Sequence, residues 1–394
     1  MRQVNVIGVG ITKFGKAEQP TLRALGSAAI HDAIADSGLA VSEIELVVHG
    51  SAMAGLMSGQ EMIRGQVVTA DSGLTGAALI NVENACATSS TGLHVALNAI
   101  RAGEYDTAVV CGTEVMTSDK RAAISALTSG ADVERLPEYN RRLTGRDGPA
   151  ESFFMEVYAK ITRDYMGRTG ATPDDFAEVA AKNSYHGSLN PKAQYGTPVT
   201  VKEVLASRMI ADPVTMLMCS PIADGAAAVV LQADDVATDR SRAVRVRACA
   251  LRTGIPNHVG PVVEERTAHI AYEQAGLGPE DLDVLEIHDA ASPNELMVYE
   301  ELGLAEPGEA AVLLRCGATR LGGRVPVNPS GGLVSRGHPV GATGCAQVVE
   351  LVTQLRGEAG ARQVAGARIG LAENAGGYVN PESAACVVTI LSSQ

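Results

Sequence analysis

The 394-residue chain carries a formal net charge of −13, is 46% hydrophobic and 20% charged, and holds no tryptophan and only 3% aromatic residues. The length suits two core-forming halves rather than one compact core. The acidity argues against DNA or an anionic membrane as partner, since both need clustered Lys and Arg, and the shortage of aromatics argues against a base-stacking platform.

The chain opens on a strand-like run, VNVIGVG (4–10), followed by a helical stretch, TLRALGSAAIHDAIADSG (21–38), with a glycine stop. EIELVVHGSA (43–52) and ALINVENA (78–85) read as strands, and the second leads into CATSSTGLHVALNAIRAG (86–103), whose apolar residues recur at helical spacing. YDTAVVCGTE (105–114) is a further strand, so the first half alternates strand and helix as an α/β protein does. Residues 117–175 are charge-rich and fit no alternation. They read either as an insertion capping a site or contacting a partner, or as a solvated surface excursion.

The second half repeats this order. AVRVRACALRTG (243–254) matches the opening strand, and aligning Gly276 with Gly38 lays EDLDVLE over SEIELVV without a gap. Matching Thr343-Gly344 to Thr91-Gly92 lays HPVGATGCAQVVELVTQLRG (338–357) over the stretch that begins at Cys86, with His338 on Cys86. A period near 240–250 residues is too long for a solenoid and implies two similar α/β halves, 1–240 and 241–394, packed about a pseudo-twofold axis. Two helix N-termini at the shared interface then converge on one site.

Seven cysteines, at 86, 111, 219, 249, 316, 345 and 386, form no CxxC and no Cys/His ligand set, so neither disulfides nor a metal site is expected. Taken alone, each reads as a small buried apolar residue. Cys86 differs because it opens a helix facing His338. A helix N-terminus or a neighbouring imidazole lowers a thiol's pKa, and a histidine can take its proton and return it. NPSGGLVSRGHPVGATG (328–344) is glycine-rich, as close backbone approach to a ligand requires, and can also be a turn with a capping histidine. EIHDAAS (286–292) ends a strand on a His-Asp pair: His288 can orient a water or support an oxyanion, and Asp289 can fix a histidine tautomer or cap a turn. AENAGGYVNPESAACVVTIL (372–391) places a Gly-Gly turn before a last strand, where a glycine N–H can serve as an oxyanion donor or the pair can be turn chemistry alone.

Together NACATSST, HDAAS, GGLVSRGHPVGATG and ENAGG, with CSPIADGAAAVVL (219–231) as the strand closing the first half, resemble the thiolase superfamily over essentially the whole chain. The His-Asp form of the second motif resembles the branch of sterol-carrier-protein-type thiolases and thiolase-like lipid-transfer proteins. The resemblance implies a duplicated thiolase-like fold, two βαβαβαββ-type halves in a five-layer αβαβα sandwich. It implies a CoA-dependent acyltransferase that cleaves a 3-oxoacyl-CoA, or forms one by Claisen condensation, through an acyl-Cys86 intermediate. His338 would be the base, His288 would support the enolate oxygen, and the N–H groups of Cys86 and Gly376 would hold the tetrahedral oxyanion. Asn374 and Gly332 would contact substrate.

The family's second cysteine is missing: one branch carries it where this chain has Asn374, the other where it has Ala290. Tyr378, Glu373 and His288 are the candidate replacements, and Cys345 is expected in the core. Branched, aromatic or dicarboxylic substrates, such as an aroylsuccinyl-CoA, fit altered proton handling. A retro-aldol lyase acting on 3-hydroxyacyl-CoA and a non-catalytic acyl or lipid binder are the competing readings. No covalently bound cofactor is expected, coenzyme A being a substrate. The family implies a homodimer, and its relatives a separate small zinc-ribbon/OB-fold subunit. No apolar run reaches the ~18 residues of a membrane span, MRQVNVIGVGITKFG lacks a signal-peptide core, and LSSQ is not a peroxisomal address, so a cytoplasmic protein is expected.

Overall fold

The computed structural model describes residues 2–394 except 19, 75, 146, 147, 149 and 151. Its strands are β1 (Val4–Ile11), β2 (Leu46–Gly50), β3 (Ala78–Val82), β4 (Thr107–Glu114), β5 (Met209–Ala211), β6 (Val214–Thr215), β7 (Gly225–Ala233), β8 (Val244–Thr253), β9 (Val284–Glu286), β10 (Ile369–Gly376) and β11 (Ala385–Ser392). β5 and β6 form a small hairpin, and the other nine make one mixed sheet in the order β3-β2-β4-β7-β1-β8-β11-β10-β9. β4 and β7 are buried along their whole length, which is why they read as continuous apolar runs rather than alternating ones.

The duplication is visible in the strand order. The halves meet edge to edge where β1 pairs antiparallel with β8, through Asn5 opposite Arg245 and Val6 opposite Val244. Outward from this seam the order is β1-β7-β4-β2-β3 on one side and β8-β11-β10-β9 on the other. The place equivalent to β3 is taken by a single parallel bridge from Leu285 to Val327.

Helices Thr88–Ala102 and Thr343–Leu355 pack on each other as the middle layer, and the second touches β7 and β1 of the first half as well as β10 and β9 of the second. One apolar cluster, including Leu93, Leu97, Val348, Leu351 and Val352 with strand residues of both halves, joins them. Helix Leu22–Ser37 covers the first half-sheet and helix Val263–Ala275 the second, which completes the αβαβα order. A Cβ on Gly344 would lie 2.6 Å from the Ser90 nitrogen and 2.7 Å from Asn374 Oδ1. The two middle helices therefore cross at contact distance there.

The excursion between β4 and β7 extends beyond 117–175. It occupies residues 115–224 and includes helices Lys120–Leu127, Leu136–Thr144, Phe153–Thr169 and Pro173–Ser188. Lys182 of helix Pro173–Ser188 is fully buried against Glu295 at 2.7 Å and donates to the Val327 carbonyl, which ties the excursion to the second half. Counted from the helix starts, Thr88 corresponds to Thr343, three residues away from the sequence alignment. Cys86 thus lies inside its 3-10 turn (Ala85–Ala87), while His338 lies two residues before its own (Val340–Ala342).

Gly344→Ala should cost about 1–3 kcal/mol through overpacking at the crossing. Chemical denaturation should show a lowered midpoint, whereas Gly357→Ala, where an added Cβ meets nothing within 4 Å, tests the contrast between crowding and its own positive φ of 74°.

Candidate active site

Cys86 sits in a tightly determined turn. Ala85 before it takes a φ of 48°, a conformation that residues with a Cβ rarely adopt. Three bonds hold it there: Ala85 N–H donates to Glu83 Oε1 at 2.6 Å, Thr88 Oγ1 donates to the Ala85 carbonyl at 2.6 Å, and Asn84 N–H donates to Thr88 Oγ1 at 2.9 Å. Gly376 presses on the same turn. A Cβ there would lie 2.7 Å from the Cys86 nitrogen, so only glycine fits. The N–H of its neighbour Gly377 lies near the Cys86 sulfur and favours the thiolate.

His338 reaches the sulfur from the other half. Its Nδ1 is 2.7 Å from Thr343 Oγ1, and that hydroxyl is 3.2 Å from the Pro339 carbonyl, to which it donates. A hydroxyl that gives its proton to a carbonyl must accept from Nδ1–H, so the tautomer is assigned as Nδ1–H with a lone pair on Nε2. His288 stands beside it, ring centroids 5.3 Å apart and planes at 58°. Cys86 Sγ and one ring nitrogen from each histidine all lie within 4.8 Å of one another. The duplication therefore converges on one cluster.

All three groups border a cavity of about 840 Å³, lined on its apolar side by Met53, Met116, Leu127, Phe154, Val157 and Met297. Phe154 and Val157 come from the excursion, so part of that segment does cap the site. Burial sets the electrostatics. It pushes the Cys86 thiol up to about 12, against the Gly377 N–H and with some help from the carboxyls of Glu114 and Glu83. It holds His288 at about 4 and His338 well below the usual imidazole value, with His288 and Arg336 adding to the latter. The lowered thiol pKa expected of a helix N-terminus is thus reversed, because desolvation of the thiolate outweighs the backbone donor. The resting pair is neutral thiol and neutral imidazole.

The other candidates divide. Gly376 and Tyr378 line the cavity, but the Tyr378 hydroxyl donates to Asn380 Oδ1 at 2.7 Å and burial pushes its pKa up to about 12. Glu373, Asn374 and Gly332 lie behind the cavity wall. Glu373 is fully buried, is pushed up to about 8 by desolvation, and accepts the backbone N–H of His288 at 2.8 Å, which fixes the main chain that carries that histidine. Asn374 accepts from Ser90 Oγ at 2.7 Å at the helix crossing, and its buried Nδ2 has no partner among the described residues. Gly332 packs on Asp289, whose carboxylate would be 2.3 Å from a Cβ there. Asp289 accepts from Leu333 N–H at 2.6 Å and from Asn183 Nδ2 at 2.8 Å, so it caps a turn and is bonded to neither histidine ring. Ala290 lines the cavity, and Cys345 is buried in the core.

Sequence reasoning missed Thr343, which sets the His338 tautomer, and Glu114. The buried Glu114 carboxyl accepts from Ser51 Oγ and from the N–H groups of Ala52, Met53 and Gly341, which pins the turn after His338 to the first half. Thr343 lies inside the quoted GHPVGATG block and was available as a signal. Glu114 carries none.

A duplicated α/β sandwich with a thiol and two imidazoles at the mating helix ends is the geometry of a cysteine-centred acyl-transfer enzyme. The family models agree: residues 4–235 match "Thiolase, N-terminal domain" and residues 261–392 match "Thiolase C-terminal domain-like". The chain belongs to the thiolase family and is an acyltransferase of the thiolase type. It is 39% identical to an acetyl-CoA acetyltransferase of Methanothermobacter thermautotrophicus, over 96% of this chain and 97% of that one. It is 36% identical to sterol carrier protein 2 of Gallus gallus, over 95% of this chain and 70% of the relative. It is 35% identical to benzoylsuccinyl-CoA thiolase subunit BbsB of Thauera aromatica, over 92% and 91% of the two chains. Among solved structures, a chain of an "Ltp2-ChsH2(DUF35) aldolase" shares the fold with a TM-score of 0.79 at 23% identity, over 99% of this chain and 98% of that one.

Because the resting thiol is neutral and only half-buried in the cavity wall, alkylation of Cys86 by iodoacetamide should quicken about tenfold per pH unit between about pH 6 and 9 without levelling off. A plateau beginning below about pH 7 would reveal a thiolate–imidazolium pair instead.

Proposed function

We propose that the enzyme cleaves or forms a 3-oxoacyl-CoA through an acyl group carried on Cys86. The single observation that supports this reading is the approach of the Cys86 sulfur and one nitrogen of each histidine to within 4.8 Å. In the cleavage direction the sulfur attacks C3 and its proton passes to His338 Nε2. The C2–C3 bond then breaks toward C2, and one proton reaches C2 by way of the two neighbouring imidazoles. This leaves an acyl thioester on Cys86 and a shortened acyl-CoA. The thiol of a second CoA attacks the thioester and gives its proton to His338, which returns it to the Cys86 sulfur. The N–H groups of Cys86 and Gly376, with Gly377 beside them, face the developing oxyanion, and loss of one such donor typically costs ~3 kcal/mol.

His288 takes the part of the missing second cysteine. Among the three candidates it alone both borders the cavity and stands next to the nucleophile, with Nε2 buried and unpartnered. Tyr378 is bonded to Asn380, and Glu373 supports His288 from behind. The pairing of Cys86 with a tautomer-fixed base favours an acyl-enzyme over a retro-aldol cleavage that needs no cysteine.

The apolar lining suits a bulky aromatic or branched acyl group. The likeness to the benzoylsuccinyl-CoA thiolase subunit lends weak support to an aroylsuccinyl-CoA. We place the enzyme in the cytoplasm as a homodimer with a separate small zinc-ribbon/OB-fold subunit. Support for the second subunit comes from the named ChsH2(DUF35) component of the similar structure and from the designation of BbsB as a subunit. Among the described residues no helix is long and apolar enough to cross a membrane.

Two exchange reactions test the assignments. Wild-type enzyme should exchange labelled CoA into acyl-CoA and deuterium into the α-carbon of acetyl-CoA. Cys86→Ser should lose the CoA exchange. His288→Ala should keep CoA exchange within about tenfold and lose deuterium exchange by about 100-fold or more, the usual scale for a general acid–base. Equal loss of both in His288→Ala would contradict the division of labour, and CoA exchange by Cys86→Ser would contradict the acyl-cysteine.

A further inference from the structure

We propose that the Cys86–His288–His338 cluster is also a binding site for a thiophilic divalent cation, zinc above all, which occupies the substrate-free centre and reversibly shuts it. The inference rests on the geometry of the cluster and not on the acyl-transfer reading. Three ligand atoms, one sulfur and two imidazole nitrogens, already lie within 4.8 Å of one another. Zinc–sulfur and zinc–nitrogen bonds near 2.3 and 2.0 Å in a tetrahedral site imply ligand atoms ~3.5 Å apart. Closing the cluster therefore needs movements of about an ångström, within the reach of side-chain rotation.

Three further features point to a cation. His288 is 3% exposed and its Nε2 has no hydrogen-bond partner among the described residues, so a buried imidazole nitrogen of this cluster is left unsatisfied. His338 is already prepared as a ligand: Thr343 takes its Nδ1–H, leaves the Nε2 lone pair free and fixes the ring, as outer partners of metal-binding histidines do. The cavity supplies an open fourth position for water beside the three ligand atoms. A thiolate with two imidazoles selects zinc over magnesium or calcium, which prefer oxygen ligands.

The step is an exchange without redox change. The Cys86 S–H bond breaks, its proton leaves to solvent, and the sulfur electron pair bonds the cation. Binding and acylation compete for the same sulfur, so a zinc-loaded enzyme cannot accept an acyl group and a chelator restores it.

The test uses the full-length chain, kept reduced with a phosphine, and Co²⁺ as the spectroscopic probe. One equivalent should produce a thiolate-to-cobalt charge-transfer band in the near ultraviolet with the intense visible bands of a tetrahedral ion, and one equivalent of Zn²⁺ should remove them. Cys86→Ser should abolish the charge-transfer band, His288→Ala should weaken binding by at least about tenfold, and Thr343→Val, which removes an outer partner, by about tenfold. In the unmutated protein, Zn²⁺ should protect Cys86 from iodoacetamide in peptide mapping while leaving the exposed Cys316 reactive. A wild-type protein with no charge-transfer band, a band unchanged in Cys86→Ser, binding unchanged in His288→Ala, or alkylation of Cys86 unaffected by Zn²⁺ would each overturn the proposal. These readouts measure metal and not turnover, so cobalt binding by a protein without acyl exchange would sink the acyl-transfer reading and leave this one standing.

Discussion

Everything at the site depends on how closely two helices cross. Helices Thr88–Ala102 and Thr343–Leu355 meet where Gly344 presses on the Ser90 backbone and on Asn374. A side chain at that point would force the helices apart, and the turns at their N-terminal ends would separate with them. Those turns carry Cys86 and position His338, whose useful separation is a few ångströms. Glu114 adds a second constraint, since one buried carboxyl binds Ala52 and Met53 of the first half and Gly341 of the second. The catalytic distance is thus set by packing in the middle layer and not by contacts among the reacting groups.

The same burial that fixes the distance sets the chemistry. Burial strips solvation from both members of an ion pair, and here thiol and imidazole rest neutral. Neutral partners are inert until a substrate carbonyl takes up the sulfur's electrons as the proton moves. That arrangement protects a nucleophile facing an 840 Å³ cavity from stray alkylation and oxidation, because reactivity follows the thiolate fraction. In the proposed acyl transfer the backbone donors of Cys86, Gly376 and Gly377, rather than a preformed thiolate, are then what is left to stabilise developing charge.

Much of the fold was legible in the sequence. The alignment of Gly38 with Gly276 revealed the duplication, and the strand orders about the β1–β8 seam confirm it. The repeat also brought Cys86 and His338 to one interface, although counting from the helix starts moves the register by three residues. What stayed hidden depended on three-dimensional contacts with no sequence period. The excursion's helix Pro173–Ser188 is tied to the second half through Lys182 and Glu295, a pair distant in the chain. Strand alternation alone could not tell that Glu373 and Asn374 lie behind the wall while Gly376, Gly377 and Tyr378 border the cavity. A helix N-terminus is visible in sequence, whereas the desolvation that raises the Cys86 thiol's pKa is not.

The central claim is that Cys86 becomes acylated because His338, held by Thr343, takes its proton. Intact-protein mass spectrometry after brief incubation with acetyl-CoA tests it most directly, with peptide mapping to locate the adduct. Wild-type protein should gain one acetyl group on Cys86. Thr343→Val should form it at least about tenfold more slowly, as loss of an orienting partner implies, and His338→Ala should form almost none. An adduct on another residue, or one that forms on Cys86 equally fast in His338→Ala, would contradict the account.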